Sequence, residues 1–238
     1  SSYPDVIFSK GGYASFPTVM AARLFRIPLV IHESDSVPGR VNKWAGKFSD
    51  KVAISYPEAA KYFPQNKVAH TGNPVRKELY TKAPEGAFEF LHLEENIPVV
   101  LILGGSQGSA LINENILGAL PELVEFCQII HQTGEGKLDE VKTTAAVVLE
   151  GNKYAGRYRA FEYLNDLALR MAAGISTVII SRAGSTIYEI AIWGVPSIVI
   201  PITESNGNHQ RINAFSYARS GAAMVIEEKN LSPHILAA

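Results

Sequence analysis

Short apolar runs alternate along the chain with longer segments in which apolar residues recur every three or four positions. The runs 28–32 and Val99–Leu103 have the length and apolar content of buried strands. Segments such as Thr186–Trp193, with Ile187 and Ile190 on one face, have the spacing of helices. Strands that alternate with helices predict an α/β fold built on parallel sheets with right-handed crossovers.

The segment 177–213 contains this pattern in its fullest form. A β-branched strand precedes a turn at Gly184, the helix Thr186–Trp193 and a second strand at 197–200. Ligands of parallel α/β sheets bind beyond the carboxyl ends of the strands, where the turn at Gly184 and the loop 204–210 lie. We therefore predict a binding site in this segment.

Glycine pairs follow two of the predicted strands. Gly11-Gly12 comes after a strand at 5–9, and Gly104-Gly105 comes after Val99–Leu103, each before a predicted helix. Adjacent glycines let a ligand approach the backbone, and a helix N-terminus favours an anion; a tight turn with positive φ fits the first pair equally well. The second turn matches neither the Walker loop nor the strict G-x-G-x-x-G motif, although a phosphate site there is physically sensible.

The repeated pattern of strand, glycine pair and helix predicts two Rossmann-like domains that face each other across a cleft. We place the first, incomplete domain at 1–76, a junction at 77–97, where charges, a proline and a glycine interrupt the periodicity, and the second domain at 98–238. The chain has no initiator methionine, and its last predicted helix stops soon after Pro233, so we expect an internal fragment of a longer protein.

Polar titratable residues cluster just after the second predicted strand. His32, Glu33 and Asp35 lie where catalytic or binding groups of such sheets usually lie, although a lone histidine is more often structural. A metal site is disfavoured because no second cluster of ligands accompanies the two acidic residues. Arg76, beyond the turn at Asn73, is a further candidate that could reach across a cleft, although a solvated surface charge is the commoner role.

Composition narrows the class of protein. The 238 residues are 47% hydrophobic and 19% charged, which supports a buried core, and the net charge of −1 gives no electrostatic footprint for nucleic acid as a main partner. The single cysteine, Cys127, excludes an internal disulfide, and we interpret it as a packing residue. No apolar run approaches the ~20 residues that a membrane-spanning helix needs.

With these positions in view, the chain resembles the MurG-type glycosyltransferases of peptidoglycan synthesis, which transfer N-acetylglucosamine to a lipid-linked muramyl pentapeptide. The resemblance covers the whole chain, and GGSQG together with GNPVR is specific, whereas either glycine pair alone would be weak. The matching residues are Gly11-Gly12-Tyr13, Ile31-His32-Glu33, Asn42-Lys43-Trp44, Gly72-Asn73-Pro74-Val75-Arg76, Gly104-Gly105-Ser106-Gln107-Gly108, Ser181-Arg182-Ala183-Gly184-Ser185, Glu189 and Asn208-His209-Gln210 with Asn213.

The resemblance implies a GT-B architecture in which the second domain holds most of the donor, UDP-N-acetylglucosamine. Glu189 would accept hydrogen bonds from the ribose, Arg76 would stabilise the departing UDP, and Gln210 with Asn213 would bind the sugar. Further implied donor contacts, to the diphosphate and the uracil, are Gly105, Ser106, Gln107, Gly108, Leu164, Gly184, Ser185 and Thr186. The implied acceptor-side residues are Gly12, Tyr13, His32, Glu33, Asp35 and Asn42.

The implied reaction is an inverting transfer to the 4-hydroxyl of the muramyl sugar of lipid I, undecaprenyl-pyrophosphoryl-MurNAc-pentapeptide, which yields lipid II. The family implies neither a metal nor another cofactor, and it implies peripheral attachment to the membrane surface at the cytoplasmic face of the bacterial inner membrane. Lys43, Trp44, Lys47 and Phe48 are candidate membrane contacts, although an ordinary amphipathic helix explains them equally well.

The chain departs from the family pattern at three places. The histidine usually offered as the catalytic base would precede Ser1, Asp35 stands where the family usually has asparagine, and the turn at Ser185 is one residue shorter. The catalytic residue is therefore unassigned, with His32 and Glu33 as the nearest candidates. Two alternatives stay open: a UDP-N-acetylglucosamine 2-epimerase of the same fold, and a non-catalytic module that binds a UDP-sugar.

Overall fold

The structure is a computed structural model that describes residues 4–105, 107–203 and 208–238. The described residues group into two units, one formed by 4–74 with 208–216 and the other by the remainder from Val75 onward. Each unit contains one parallel sheet, so the predicted α/β class is confirmed.

The elements alternate along the chain, as predicted. The strands of the described residues are β1 (Ile7–Ser9), β2 (Leu29–Glu33), β3 (Lys51–Ile54), β4 (Val68–His70), β5 (Val99–Leu103), β6 (Gln128–Gln132), β7 (Tyr158–Phe161), β8 (Val178–Ser181), β9 (Ser197–Val199) and β10 (Ala223–Val225). The α-helices are α1 (Phe16–Phe25), α2 (Arg40–Ala45), α3 (Ala87–Phe90), α4 (Ala110–Phe126), α5 (Leu138–Val148), α6 (Asp166–Ile175), α7 (Thr186–Trp193), α8 (His209–Ala218) and α9 (Pro233–Ala237).

The first unit has a four-stranded parallel sheet in the order β1-β2-β3-β4. Ile31, Val52 and Ile54 on the inner strands are almost fully buried, and they pack with Val19 of α1 and Phe63. This core fixes the ends of the strands from which the polar loops of the unit emerge.

The second unit has a six-stranded parallel sheet in the order β10-β9-β8-β5-β6-β7. Ile102 of the central strand belongs to the core beneath α4 and α5, whereas Leu101 and Leu103 pack on the opposite face with residues of α6 and α7. Because helices cover both faces of the sheet, residues that point to either face of β5 are shielded from water. This explains why β5 is a continuous apolar run in the sequence.

Helix α4 is longer than the sequence predicts. The sequence predicts a helix from about Ala110 to Leu120, but the helix continues to Phe126 with Pro121 inside it. Leu123 and Val124 are buried beyond the proline, so core packing continues the helix through that position. Cys127 follows as a buried packing residue, as predicted; burial raises the pKa of its thiol to about 11, which keeps it protonated.

The segment 77–97 packs on the second unit. It contains α3 and a short 3-10 helix, Leu79 and Leu91 are buried in the core of that unit, and the Trp193 indole N–H donates to the Leu79 carbonyl at 2.8 Å. The domain limits drawn from the sequence stay predictions.

Candidate functional site

The second unit has a topological switch point between β5 and β8. From β5 the chain adds β6 and β7 on one side, and β8, β9 and β10 lie on the other side. Ligands of open α/β sheets bind at this place, beyond the carboxyl ends of the strands. The glycine-rich turn 104–109 after β5 and the turn 182–185 after β8 both leave the sheet there, so two of the predicted donor segments lie at neighbouring strand ends.

The glycine-rich turn is held by close backbone packing. Gly105 and Gly108 both have positive φ, and a Cβ on Gly108 would overlap with the Thr133 carbonyl oxygen after β6. Ser109 caps α4, since its Oγ accepts from the Ile112 N–H at 3.3 Å. Ser106, a predicted diphosphate contact, lies outside the described residues.

Gln107 is anchored on the same turn. The Lys137 ammonium group donates to its carbonyl oxygen at 2.5 Å. The lysine therefore places a positive charge beside the turn that we predict to receive a diphosphate, which makes it a further candidate that the sequence alone did not single out.

Arg76 and Glu189, predicted separately, are ion-paired. The guanidinium lies 3.5 Å from Glu189 Oε1 and 2.6 Å from Asp166 Oδ1. Burial raises the pKa of Glu189 while the charge of Arg76 lowers it, and the net direction is upward. The sequence did not single out Asp166 as a site residue. The one local indication was its place after Asn165 at the start of α6.

Arg182 makes three polar contacts next to the glycine-rich turn. Its guanidinium is 2.6 Å from Glu228 Oε1, donates to Ser109 Oγ at 2.6 Å and donates to the Ile200 carbonyl at 3.2 Å. Burial alone would raise the pKa of Glu228, but hydrogen bonds from Thr203 and Arg182 lower it. The arginine thus ties the cap of α4 to the end of β9, and its charge is neutralised within the unit.

The other predicted donor contacts of this unit differ in what surrounds them. Leu164 is buried, and its N–H already donates to Gln132 Oε1 at 3.0 Å, so this donor is used within the unit. Ser185 and Thr186 open α7, and Gly184 before them faces open space, because a Cβ there would meet nothing within 4 Å. The turn therefore has room for a ligand next to the backbone.

In the first unit, Glu33 organises the loop that follows β2. Its Oε1 accepts from the Asp35 N–H at 3.0 Å, and its Oε2 accepts from the Gly39 N–H at 3.2 Å and from Asn42 Nδ2 at 3.0 Å. Burial raises the pKa of the carboxyl against the effect of these hydrogen bonds. Both oxygens are engaged, so the geometry gives Glu33 a role in loop structure rather than in proton transfer.

His32 is buried beside Glu33 with one nitrogen engaged. Its Nε2 lies 2.9 Å from the Gly72 carbonyl oxygen and 3.3 Å from Ser55 Oγ. Because a carbonyl only accepts, Nε2 carries the proton, and Nδ1 is a buried acceptor without a hydrogen-bond partner among the described residues. Burial lowers the pKa of this imidazole, so the neutral form is favoured.

Asp35 and Asn213, predicted for opposite substrates, contact each other. Asn213 of α8 donates from Nδ2 to Asp35 Oδ1 at 2.9 Å, and its Oδ1 accepts from the Ser36 N–H at 2.9 Å and the Ser36 hydroxyl at 2.7 Å. With 2% exposure, the Asn213 side chain is largely committed to this loop. Gln210 lies one turn earlier on the same helix and is half-buried.

The two glycines of the first pair, Gly11 and Gly12, differ in how closely they are packed. Both glycines have positive φ, and a Cβ on Gly11 would overlap with the Asn42 amide, whereas one on Gly12 would meet nothing within 4 Å. Tyr13 follows with 94% exposure. Gly11 is therefore required for close packing, while Gly12 and Tyr13 present an open surface.

Two further features bear on the site. No group of three or more histidine, cysteine, aspartate or glutamate side chains is arranged to hold a metal in the described ranges. Among the helices that the structure describes, none combines the length and apolar character needed to cross a bilayer.

The fold and the turns at the switch point define an α/β protein of the GT-B type, the class predicted from the sequence. Residues 99–238 match the glycosyltransferase family 28 C-terminal domain, and residues 1–54 match the glycosyltransferase family 28 N-terminal domain. The chain belongs to glycosyltransferase family 28.

Relatives and solved structures agree with this assignment. The chain is 40% identical to a Bacillus cereus protein named UDP-N-acetylglucosamine–N-acetylmuramyl-(pentapeptide) pyrophosphoryl-undecaprenol N-acetylglucosamine transferase 2. The alignment spans 231 residues and covers 96% of this chain and 62% of that protein. The crystal structure of Acinetobacter baumannii MurG is 26% identical with a TM-score of 0.72, over 98% of this chain and 62% of that one. A putative UDP-N-acetylglucosamine 2-epimerase from Listeria monocytogenes, 16% identical over 98% of this chain and 65% of that one with a TM-score of 0.68, shares the fold alone.

Proposed function

We propose that this chain carries the donor-binding part and some of the acceptor-binding part of an inverting N-acetylglucosamine transferase. The donor is UDP-N-acetylglucosamine, the acceptor is the 4-hydroxyl of the muramyl sugar of lipid I, and the product is lipid II for peptidoglycan. The observation that carries the proposal is the 40% identity, over 96% of this chain, to a relative whose name states this transfer. The chain spans 62% of that relative, so the activity of the whole protein is part of the proposal.

Donor binding is assigned to the switch point of the second unit. Glu189 accepts hydrogen bonds from the ribose hydroxyls, and the backbone N–H groups of Gly105 and Gln107 and of the turn at Gly184 bind the diphosphate. Both turns precede helix N-termini, whose partial positive charge favours an anion. The positive charges of Arg76 and Lys137, which lie beside the predicted ligand groups, support this assignment.

In the proposed chemistry, the acceptor 4-hydroxyl oxygen forms a bond to the anomeric carbon as the bond from that carbon to the diphosphate oxygen breaks. The electron pair leaves with UDP, the hydroxyl proton passes to a base, and the anomeric configuration inverts to β. Such a displacement needs positive potential where charge develops on the leaving group. Arg76 supplies it in this proposal, once the incoming donor competes with Asp166 and Glu189 for the guanidinium.

The acceptor side is assigned to the first unit. The open surface at Gly12 and Tyr13 follows β1, the buried His32 lies near the end of β2, and the buried Asn42 lies on α2 after the loop. His32 Nδ1 and Asn42 Oδ1 are buried acceptors without a hydrogen-bond partner among the described residues, so the exposed Gly12 and Tyr13, and not these two atoms, are assigned to direct contact with the acceptor. Neither His32 nor Asn42 is assigned as the base.

Attachment to the membrane surface, at the cytoplasmic face of the bacterial inner membrane, belongs to the same proposal. Phe16 and Trp44 form an aromatic pair 5.2 Å apart, and together with Tyr13 and Arg40 they line a surface groove of the first unit. Aromatic rings beside basic side chains suit the boundary between headgroups and acyl chains. Binding of the chain to anionic vesicles, compared with Trp44→Ser, tests this assignment.

Product analysis separates the transferase from its two alternatives. We would incubate this chain and, beside it, the full-length Bacillus cereus relative with labelled UDP-N-acetylglucosamine, with and without lipid I. The transferase releases UDP only with lipid I and labels the lipid. Conversion of the donor to its C2 epimer without lipid would identify an epimerase, and binding without turnover, while the relative turns over, would identify a donor-binding module.

A further inference from the structure

A chain of hydrogen bonds crosses the core of the second unit beneath the glycine-rich turn. The Tyr158 hydroxyl is 2.8 Å from His131 Nδ1, and His131 Nε2 is 3.0 Å from Asn113 Oδ1. Asn113 Nδ2 then donates to the Thr133 carbonyl oxygen at 3.1 Å. The side chains come from β7, β6 and α4, and all three residues are buried, His131 completely.

The partners fix the direction of every hydrogen bond in this series. The Asn113 amide nitrogen donates to a carbonyl, so its oxygen faces His131 and must accept. His131 therefore carries its proton on Nε2 and accepts at Nδ1 from the Tyr158 hydroxyl. Burial lowers the pKa of His131 to about 4, so the imidazole stays neutral and this one tautomer persists near neutral pH.

The last acceptor of this hydrogen-bond series, the Thr133 carbonyl oxygen, is in direct contact with the glycine-rich turn. Gly108 packs so closely on Thr133 and Gly134 that a Cβ would overlap with the Thr133 carbonyl oxygen. Gly134, with positive φ, packs equally closely on the backbone of Gly108. Two backbone segments in direct contact, with no side chain between them, transmit a displacement of one to the other.

We infer that His131 is a positioning residue for the anion site of this protein. Through Asn113 it fixes the Thr133 carbonyl, and through that carbonyl it sets the position of Gly108 and of the turn that carries the Gly105 and Gln107 N–H groups, which meet the diphosphate. The part of the inference that concerns the diphosphate rests on the proposed function. The part that concerns the turn itself stands on the packing alone.

The competing explanation is that the chain only satisfies buried polar groups. The Thr133 and Gly134 N–H groups also donate to the Phe161 and Glu162 carbonyls, at 2.8 and 3.1 Å, so β7 could hold this segment without His131. In that case loss of the imidazole would lower stability and leave the turn unchanged. A measurement that reports on the turn separately from stability distinguishes the two.

Three variants and one control test the inference in the full chain. His131→Leu removes both bonds, His131→Gln keeps a donor near the position of Nε2 for Asn113, and Tyr158→Phe removes only the first donor. Ile129→Ala, in the same strand and the same buried core, lowers stability without touching the hydrogen bonds. Thermal unfolding ranks stability, amide exchange of Gly105, Gln107 and Gly108 reports on the turn, and calorimetry with UDP reports on binding.

We expect His131→Leu to speed exchange of these amides and to weaken UDP binding by about tenfold, the effect of losing one well-placed hydrogen bond. We expect His131→Gln to recover most of that loss, Tyr158→Phe to show a smaller effect, and Ile129→Ala to lower the Tm with unchanged exchange and UDP affinity. Unchanged exchange and binding in His131→Leu, or an equal change in Ile129→Ala, would overturn the inference. If the wild-type chain binds no UDP, the proposed function fails, and the exchange data still decide whether His131 positions the turn.

Discussion

At the scale of single residues, the carboxylates of this chain differ in what their surroundings allow. Glu33 has both oxygens engaged by its own loop, whereas Glu189 is partly buried next to one ion-pair partner, 3.5 Å away. A carboxylate with remaining acceptor capacity is suited to the two hydroxyls of a ribose. Glu189 is therefore the carboxylate that we assign to the donor.

Replacement of Glu189 tests this assignment. We expect Glu189→Ala to weaken UDP binding by about tenfold or more, since a charged hydrogen bond of roughly 1.4 kcal/mol is lost. Because burial raises the pKa of Glu189, affinity should fall as the pH is lowered towards that raised value and the acceptor is protonated. Calorimetry with UDP measures both effects, and Glu150→Ala, an exposed position after α5 on the same unit, is the control. UDP affinity that is unchanged in Glu189→Ala would remove the residue from the site.

The buried imidazole of His131 makes stability depend on pH. Its pKa is about 4 in the folded protein and about 6.5 when unfolded, so between these values the unfolded state binds more protons. The stabilisation is complete above about pH 6.5 and is lost as the pH falls to about 4, by roughly 3 kcal/mol in total. Chemical denaturation over this range measures the loss, and His131→Gln should flatten the slope; an equal slope in the variant would contradict the assignment.

At the scale of elements, the sequence predicted regular structure well and long-range contacts poorly. The limits of β5 and α7 agree with the predicted ones, because apolar spacing and the stop at Gly194 are local signals. The predicted end of α4 was wrong, because the local sequence does not show the core packing beyond Pro121. The bond between Asn213 and Asp35 joins residues 178 positions apart, and no spacing rule predicts such a pair.

The contact between α8 and the loop after β2 can be tested by removing the Asn213 amide. In Asn213→Ala the Ser36 N–H and hydroxyl lose their acceptor in a buried place, which typically costs about 1–3 kcal/mol of unfolding free energy. Ile212→Ala, the partly exposed neighbour on the same helix, should cost clearly less. Urea denaturation compares the two variants, and an equal loss in both would show that the amide does not stabilise this contact.

At the scale of the whole molecule, two parallel-sheet units each place polar loops at the ends of their strands. That much followed from the alternation of strands and helices and from the glycine pairs. The partners of the site residues did not follow, because Asp166 and Glu228 are far in sequence from Arg76 and Arg182 and belong to no motif. Membership of glycosyltransferase family 28 supports the proposal that these geometries serve sugar transfer.

The identity of the transferred group and of the new bond tests the central claim most directly. We would isolate the lipid product formed from UDP-N-acetylglucosamine and lipid I and determine its linkage by mass spectrometry and NMR, with the full-length Bacillus cereus relative as the positive control. We expect one N-acetylglucosamine joined through a β bond to the 4-oxygen of the muramyl sugar, with one UDP released per bond. A product with an α bond, or a donor epimerised at C2 with no labelled lipid, would contradict it.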